Sequence, residues 1–177
     1  MPLRKITTLS LFTAIALAIY GVECAIPPLV PIPAIKLGLA NIVTLVVLRL
    51  YTKKDAFLVL LARVLLSALL FGQAMSLLYS LVGGILCFLA MVGMDFLLQK
   101  HMLYLTSILG ALFHNLGQLL VAFLLTAVPG VISYLPFLIV SGILTGLFTG
   151  LCAHFSLKLL RPLIAHSPFS PKEDDDN

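Results

Sequence analysis

The chain has 177 residues, of which 61% are apolar and 10% charged, with a net charge of +4 and no tryptophan. Soluble domains carry roughly 45–50% apolar and 25% charged residues, so these proportions and a mean hydropathy of +1.15 exclude a soluble globular domain and a disordered chain. The eleven basic residues, scattered among hydrophobic runs, form no nucleic-acid groove. The composition predicts an all-α polytopic membrane protein, with a six-helix transmembrane bundle over residues 1–162 and a disordered cytoplasmic tail over 163–177.

Arg4 and Lys5 precede an apolar run from Ile6 to Val22. No small-x-small cleavage site follows it. Glu23 stands where a lipoprotein signal needs a small residue before Cys24. The run therefore reads as a retained first span. Residues 27–33 then hold four of the ten prolines. Proline removes a backbone donor and disfavours helix in the residue before it, so the chain breaks here. The segment stays apolar, which predicts an extended or re-entrant piece sheltered from water, able to act as a gate or lid.

A second span is expected over 34–50, closed by the polar turn 51–55. A third covers 56–71 and stops at Gly72-Gln73. The fourth runs from Ala74 to Leu98, with tandem Gly83-Gly84 marking a thin or bent point. The fifth covers Leu103 to Ala127, and Pro129-Gly130 breaks it. The sixth runs from Tyr134 to Leu160, ended by Arg161-Pro162. A spanning helix needs about 20 residues, so the second and third spans are short. Six spans put both termini on one side. Arg4, Lys5, Arg49, Lys53, Lys54, Lys100, Lys158, Arg161 and Lys172 fall on that side, nine of the eleven basic residues. The positive-inside rule then predicts cytoplasmic termini for a multi-pass protein of the inner, cytoplasmic membrane.

Lys36 and Arg63 are the two exceptions. Arg63 falls near the middle of the third span, where a charge is expensive and faces a partner or a cavity. Lys36, near the outer end of the second span, either snorkels to the headgroups or faces the same cavity. Glu23 is the nearest carboxylate to both, so two cations outnumber one anion. An anionic ligand would restore the balance. Asp95, beside Lys100, is expected at the interface.

On the fifth span Ser107, Ala111, His114, Asn115, Gln118 and Ala122 share an arc of about 100° at helical spacing. A polar stripe on a membrane helix points into the protein, either to bond neighbouring helices or to line a binding site. Asn41, within the second span, joins this set. His114 has no second His or carboxylate at ligand spacing, so no metal site is expected. Cys24, Cys87 and Cys152 are far apart, form no CxxC, and read as buried small residues. Gly142, Gly146 and Gly150 at four-residue spacing predict a close helix–helix seam. Ser10, Ala14 and Ala18 form a second small-residue stripe, for internal packing or for docking another membrane protein.

Three stretches, Lys36-Leu37-Gly38-Leu39-Ala40-Asn41, Leu61-Ala62-Arg63-Val64-Leu65-Leu66 and His114-Asn115-Leu116-Gly117-Gln118-Leu119, carry a family likeness. They resemble the bacterial membrane family labelled heptaprenyl diphosphate synthase component I, also called the Gx transporter family, over about residues 5 to 162. That family is similar to the substrate-binding S-components of energy-coupling factor (ECF) transporters. The resemblance implies a six-helix protein that captures a small molecule and docks on a coupling protein driven by two ATPases. It further implies that the AxxxA pair, Ala14 and Ala18, belongs to the docking surface.

Two functions follow as expectations. The first is an S-component-like binding protein for uptake of a small, anionic metabolite or vitamin precursor. Lys36 and Arg63 would attract the anion, while Asn41, His114, Asn115 and Gln118 supply directional hydrogen bonds. The second is a non-catalytic membrane subunit that binds a prenyl diphosphate or quinone beside a soluble partner enzyme. Prenyl chain elongation needs aspartate-rich motifs that hold Mg²⁺ against a diphosphate. The only aspartate run is Asp174-Asp175-Asp176 in the tail, so the chain is not expected to be an enzyme. No Walker A sequence occurs, which leaves ATP hydrolysis to partners, and no cofactor is expected.

Overall fold

The computed structural model describes residues 3–26, 36–71, 74–97 and 102–165. The Pro-rich segment 27–33, Gln73, Lys100 and the tail beyond 165 lie outside the described residues. Six α-helices follow in order: α1 (Leu3–Ala25), α2 (Asn41–Leu50), α3 (Lys53–Phe71), α4 (Ala74–Leu97), α5 (Leu103–Thr126) and α6 (Leu135–Ala165). A 3-10 turn, Pro129–Tyr134, leads into α6. There is no strand among the described residues. Four stretches are long and apolar enough to cross a bilayer: Leu3–Ala25, Met75–Leu97, Leu103–Thr126 and Pro129–Leu163. The 19 residues of α3 include Lys53, Lys54, Asp55 and Arg63. The protein is a helical membrane protein, as the composition predicts.

The second span departs from expectation. In place of a helix over 34–50, α2 has 10 residues, and residues 36–40 are non-helical. At 1.5 Å per residue α2 is about 15 Å long, half the hydrocarbon thickness. Its start therefore lies inside the bundle. The residues from Val43 to Leu48 are all buried. A short, mostly apolar helix that is buried over most of its surface belongs at the centre of a fold, and α2 packs against α1, α3, α4 and α6.

Contacts between helix ends show alternating directions. Lys5, in the first turn of α1, pairs with Asp55 at the start of α3 at 2.8 Å. Arg49, in the last turn of α2, pairs with Asp95 in the last turn of α4 at 2.7 Å. Arg49 also donates to Thr106 in the first turn of α5. These contacts collect Lys5, Arg49, Lys53 and Lys54 at one end of the molecule. Asp95, in the last turn of α4, is buried against Arg49. The sequence does not announce this pair, because it depends on α2 and α4 bringing their ends together, although Arg49 and Asp95 are far apart in the chain.

Small residues set the helix spacing. A Cβ on Gly146 would fall 2.5 Å from Ile108 Cα, and one on Gly142 would fall 3.0 Å from Leu112 Cδ2, so α6 lies directly against α5. On its other side α5 meets α4, where a Cβ on Gly117 would come 2.7 Å from Gly83 Cα. Gly83 marks a thin point in an unbroken helix. The Ser10, Ala14 and Ala18 stripe behaves differently. The buried face of α1 is Leu9, Phe12, Thr13, Ala16, Tyr20 and Glu23, and Ser10, Ala14 and Ala18 are exposed on the other side.

The α5–α6 seam gives a direct test. Gly146→Leu should lower stability by about 1–3 kcal/mol, the usual cost of overpacking, read as a lower melting temperature in detergent. Gly93→Ala is the control, because nothing lies within 4 Å of a Cβ there. It should leave the melting temperature unchanged or slightly raised. Equal behaviour of the two variants would show that the seam is not tight.

Candidate functional site

The break before α2 organises a buried polar cluster. Gly38 has φ of +78°, a conformation that suits glycine. The first turn of α2 has no side-chain cap. Its amides are satisfied locally, by Asn41 N–H to Gly38 C=O at 3.0 Å and Ile42 N–H to Leu39 C=O at 3.0 Å. The Gly38 N–H instead reaches across to α1, where it donates to Glu23 Oε1. The Leu39 N–H also faces this carboxylate. Glu23 thereby places a negative group at the positive end of the α2 dipole.

Arg63 enters the cluster from α3. It is 3% exposed, and its Nη2 donates to Asn41 Oδ1 at 3.1 Å. Its Nε has no hydrogen-bond partner among the described residues. Glu23 acts on it electrostatically, but no contact ion pair involves Arg63 among the described residues. The guanidinium therefore has one neutral acceptor and a distant carboxylate.

Two residues of the α5 stripe close the same space. Gln118 Oε1 accepts from the Lys36 N–H at 3.3 Å, while Gln118 Nε2 lies 3.0 Å from His114 Nε2. Since the Gln118 oxygen is engaged by Lys36, its amide nitrogen donates to His114. That assignment puts the ring proton on Nδ1, close to Gly83 of α4 but without a hydrogen-bond partner among the described residues. A Cβ on Gly38 would fall 2.6 Å from His114 Cδ2. Gly38 is thus required twice, by its dihedral angle and by the imidazole against it.

Lys36 completes one edge. Its ammonium donates to Tyr20 Oη at 2.6 Å and to Cys24 Sγ at 3.0 Å, and lies 3.8 Å from the Tyr20 ring centroid. Its ammonium is turned toward α1. Tyr20 in turn shares a 2.7 Å hydrogen bond with Ser76 of α4. Cys24 is half-buried and serves as an acceptor, where the sequence suggested only a small apolar filler.

Of the residues singled out from the sequence, Lys36, Asn41, Arg63, His114 and Gln118 meet in this cluster. Asn115 does not. Its Nδ2 donates to Leu138 C=O at 2.8 Å and ties α5 to α6. Ser107 does the same through Thr149 Oγ1 at 2.7 Å. The polar stripe therefore divides by function: one edge bonds the bundle and the other faces the break. Ala14 and Ala18 lie apart, on the exposed face of α1. Tyr20, Gly38 and Ser76 also belong to the cluster, and of these only the tyrosine within an apolar first span is a signal in the sequence. Among the described residues, no group of three or more His, Cys, Asp or Glu converges as a metal site would require.

Gly38→Ala should lose stability by about 1–2 kcal/mol from the left-handed backbone alone, and more from the clash with His114. Adding His114→Ala removes the imidazole clash and leaves the backbone cost and a 2.9 Å approach to Asn41 Nδ2, so the double variant should recover only part of the loss. A double-mutant cycle on melting curves measures this coupling. Strict additivity would show that the two residues do not touch.

No curated protein matches the chain, and no solved structure matches it. The family model described as heptaprenyl diphosphate synthase component I matches residues 12–157, a span that runs from α1 into α6 and holds every residue of the cluster. The chain belongs to the heptaprenyl diphosphate synthase component I family.

Proposed function

We propose that the protein is a membrane-embedded binding protein for a small anionic metabolite, working in uptake in the manner of an ECF S-component. The observation that carries this reading is Arg63. It is buried and, among the described residues, holds one neutral hydrogen bond and has no partner for its Nε. A permanent charge in that setting calls for an anion. A carboxylate or phosphate of the ligand would fill the place, with Asn41, His114 and Gln118 orienting the rest of the molecule. Asn115 supports the wall from behind. The positively charged end of the bundle would face the cytoplasm, leaving the cluster nearer the outer side. No catalytic role and no cofactor are part of this reading.

The partners follow from the outer face of α1. Ser10, Ala14 and Ala18 are exposed although small residues of this spacing favour close helix approach. A coupling protein carrying two ATPases would use this face. The family description supports a second reading, a non-catalytic subunit that presents a prenyl diphosphate or a quinone to a soluble synthase. The same basic cluster suits a diphosphate.

Purification from native membranes in mild detergent separates the readings, when mass spectrometry identifies both the retained small molecule and the retained proteins. A carboxylate or monophosphate metabolite with ATPase subunits supports uptake. A prenyl diphosphate with a soluble synthase supports the second reading. In either case Arg63→Met should stay folded and lose about 2–5 kcal/mol of ligand affinity. Ala14→Trp with Ala18→Trp should abolish partner retention and spare the ligand. An Arg63→Met protein that is destabilised, keeps its ligand and is rescued by Glu23→Gln would make Arg63 a structural partner of Glu23 and overturn both readings.

A further inference from the structure

We propose that Glu23 sets the charge of the ligand, so that the cluster takes a molecule with one negative charge, such as a monocarboxylate, in preference to a dianion such as a phosphate ester or a diphosphate. The inference rests on the anion reading of Arg63 and narrows it. Three charged side chains meet at the turn before α2. Glu23 Oε1 accepts from the Gly38 N–H. A Cβ on Gly38 would fall 2.9 Å from Asn41 Nδ2, and the oxygen of that same amide accepts from Arg63 Nη2 at 3.1 Å. Lys36, two residues before Gly38, donates to Cys24 Sγ at 3.0 Å, beside Glu23 in α1. Arg49, the other basic residue of α2, is neutralised by Asp95 at 2.7 Å. The sequence between Cys24 and Lys36 contains no ionisable side chain.

His114 could alter the sum by taking a proton, and Gln118 opposes it. Gln118 Oε1 accepts from the Lys36 N–H at 3.3 Å, so its Nε2 donates to His114 Nε2 at 3.0 Å. An imidazolium donates from both nitrogens and would set one N–H against another. Turning the Gln118 amide over moves the same conflict to the Lys36 N–H. Two cations and one carboxylate therefore leave one positive charge. The α2 dipole adds a fraction of a charge, and that fraction already faces Glu23. A monoanion neutralises the cluster. A dianion leaves a negative charge without a partner in a buried, weakly screened place, which is costly. Without the charge of Glu23 the sum rises to two, and the preference reverses.

Methanesulfonate and sulfate test this, being tetrahedral anions of similar size with one and two charges that do not titrate near neutral pH. The full chain in phosphatidylcholine nanodiscs is melted against each anion at constant ionic strength. The same series on Arg63→Met gives the part of each shift that does not depend on Arg63. The Arg63-dependent affinity of the wild type should favour methanesulfonate by about tenfold or more, the effect of one unit charge across a partly screened interior. Glu23→Gln keeps an oxygen for the Gly38 amide and should turn the preference toward sulfate. Lys36→Met changes the sum the other way and decides the matter if Glu23→Gln does not fold: it should weaken both anions and sulfate the more. A wild type that favours sulfate, or a preference that neither variant moves, would overturn the role of Glu23 and leave the anion reading standing. An Arg63-dependent effect from neither anion would overturn both.

Discussion

The hydrogen bond from the Gly38 amide to the Glu23 carboxylate is the interaction on which the rest of the structure depends. An apolar bundle has no water to satisfy a non-helical turn, and an unpaired amide there costs several kcal/mol. Glu23 removes that cost for the turn and answers the α2 dipole at the same time. With the turn secured, α2 can begin at mid-depth, and Asn41 is carried to Arg63. A continuous helix over the same residues would leave no such opening.

The same economy appears in α5. One helix face supplies both the ties that hold α6, through Ser107 and Asn115, and the groups that face the break, His114 and Gln118. The glycines on both flanking helices bring α4 and α6 close enough for these short side chains to reach. Packing and polar chemistry are therefore linked. A wider α4–α5 seam would move His114 away from Gly38 and release the turn.

Much of this was legible in the residues. The limits of α4 and α5 follow from their apolar runs, since hydrophobicity alone sets where such helices stop. The α5 stripe follows from helical spacing, and its members are buried as that spacing requires. The Gly142, Gly146 and Gly150 seam followed from four-residue spacing. What escaped was tertiary. Residues 36–40 are as apolar as their neighbours apart from Lys36, so periodicity carried the second span through them. The left-handed Gly38 and the carboxylate from α1 together keep them non-helical. The direction of Lys36 was likewise hidden, because it depends on Tyr20 and Cys24 across the turn. The Arg49–Asp95 pair depends on two helix ends meeting, and no spacing within either helix announces it.

The central claim is that Arg63 is an anion receptor whose counter-charge comes from a ligand. An experimental structure of the protein with the small molecule it retains from native membranes tests this most directly. An anionic group within hydrogen-bond distance of Arg63 Nε, with Glu23 still on the Gly38 amide, is the predicted result. A ligand seated elsewhere, with Glu23 swung into direct contact with Arg63, would contradict it.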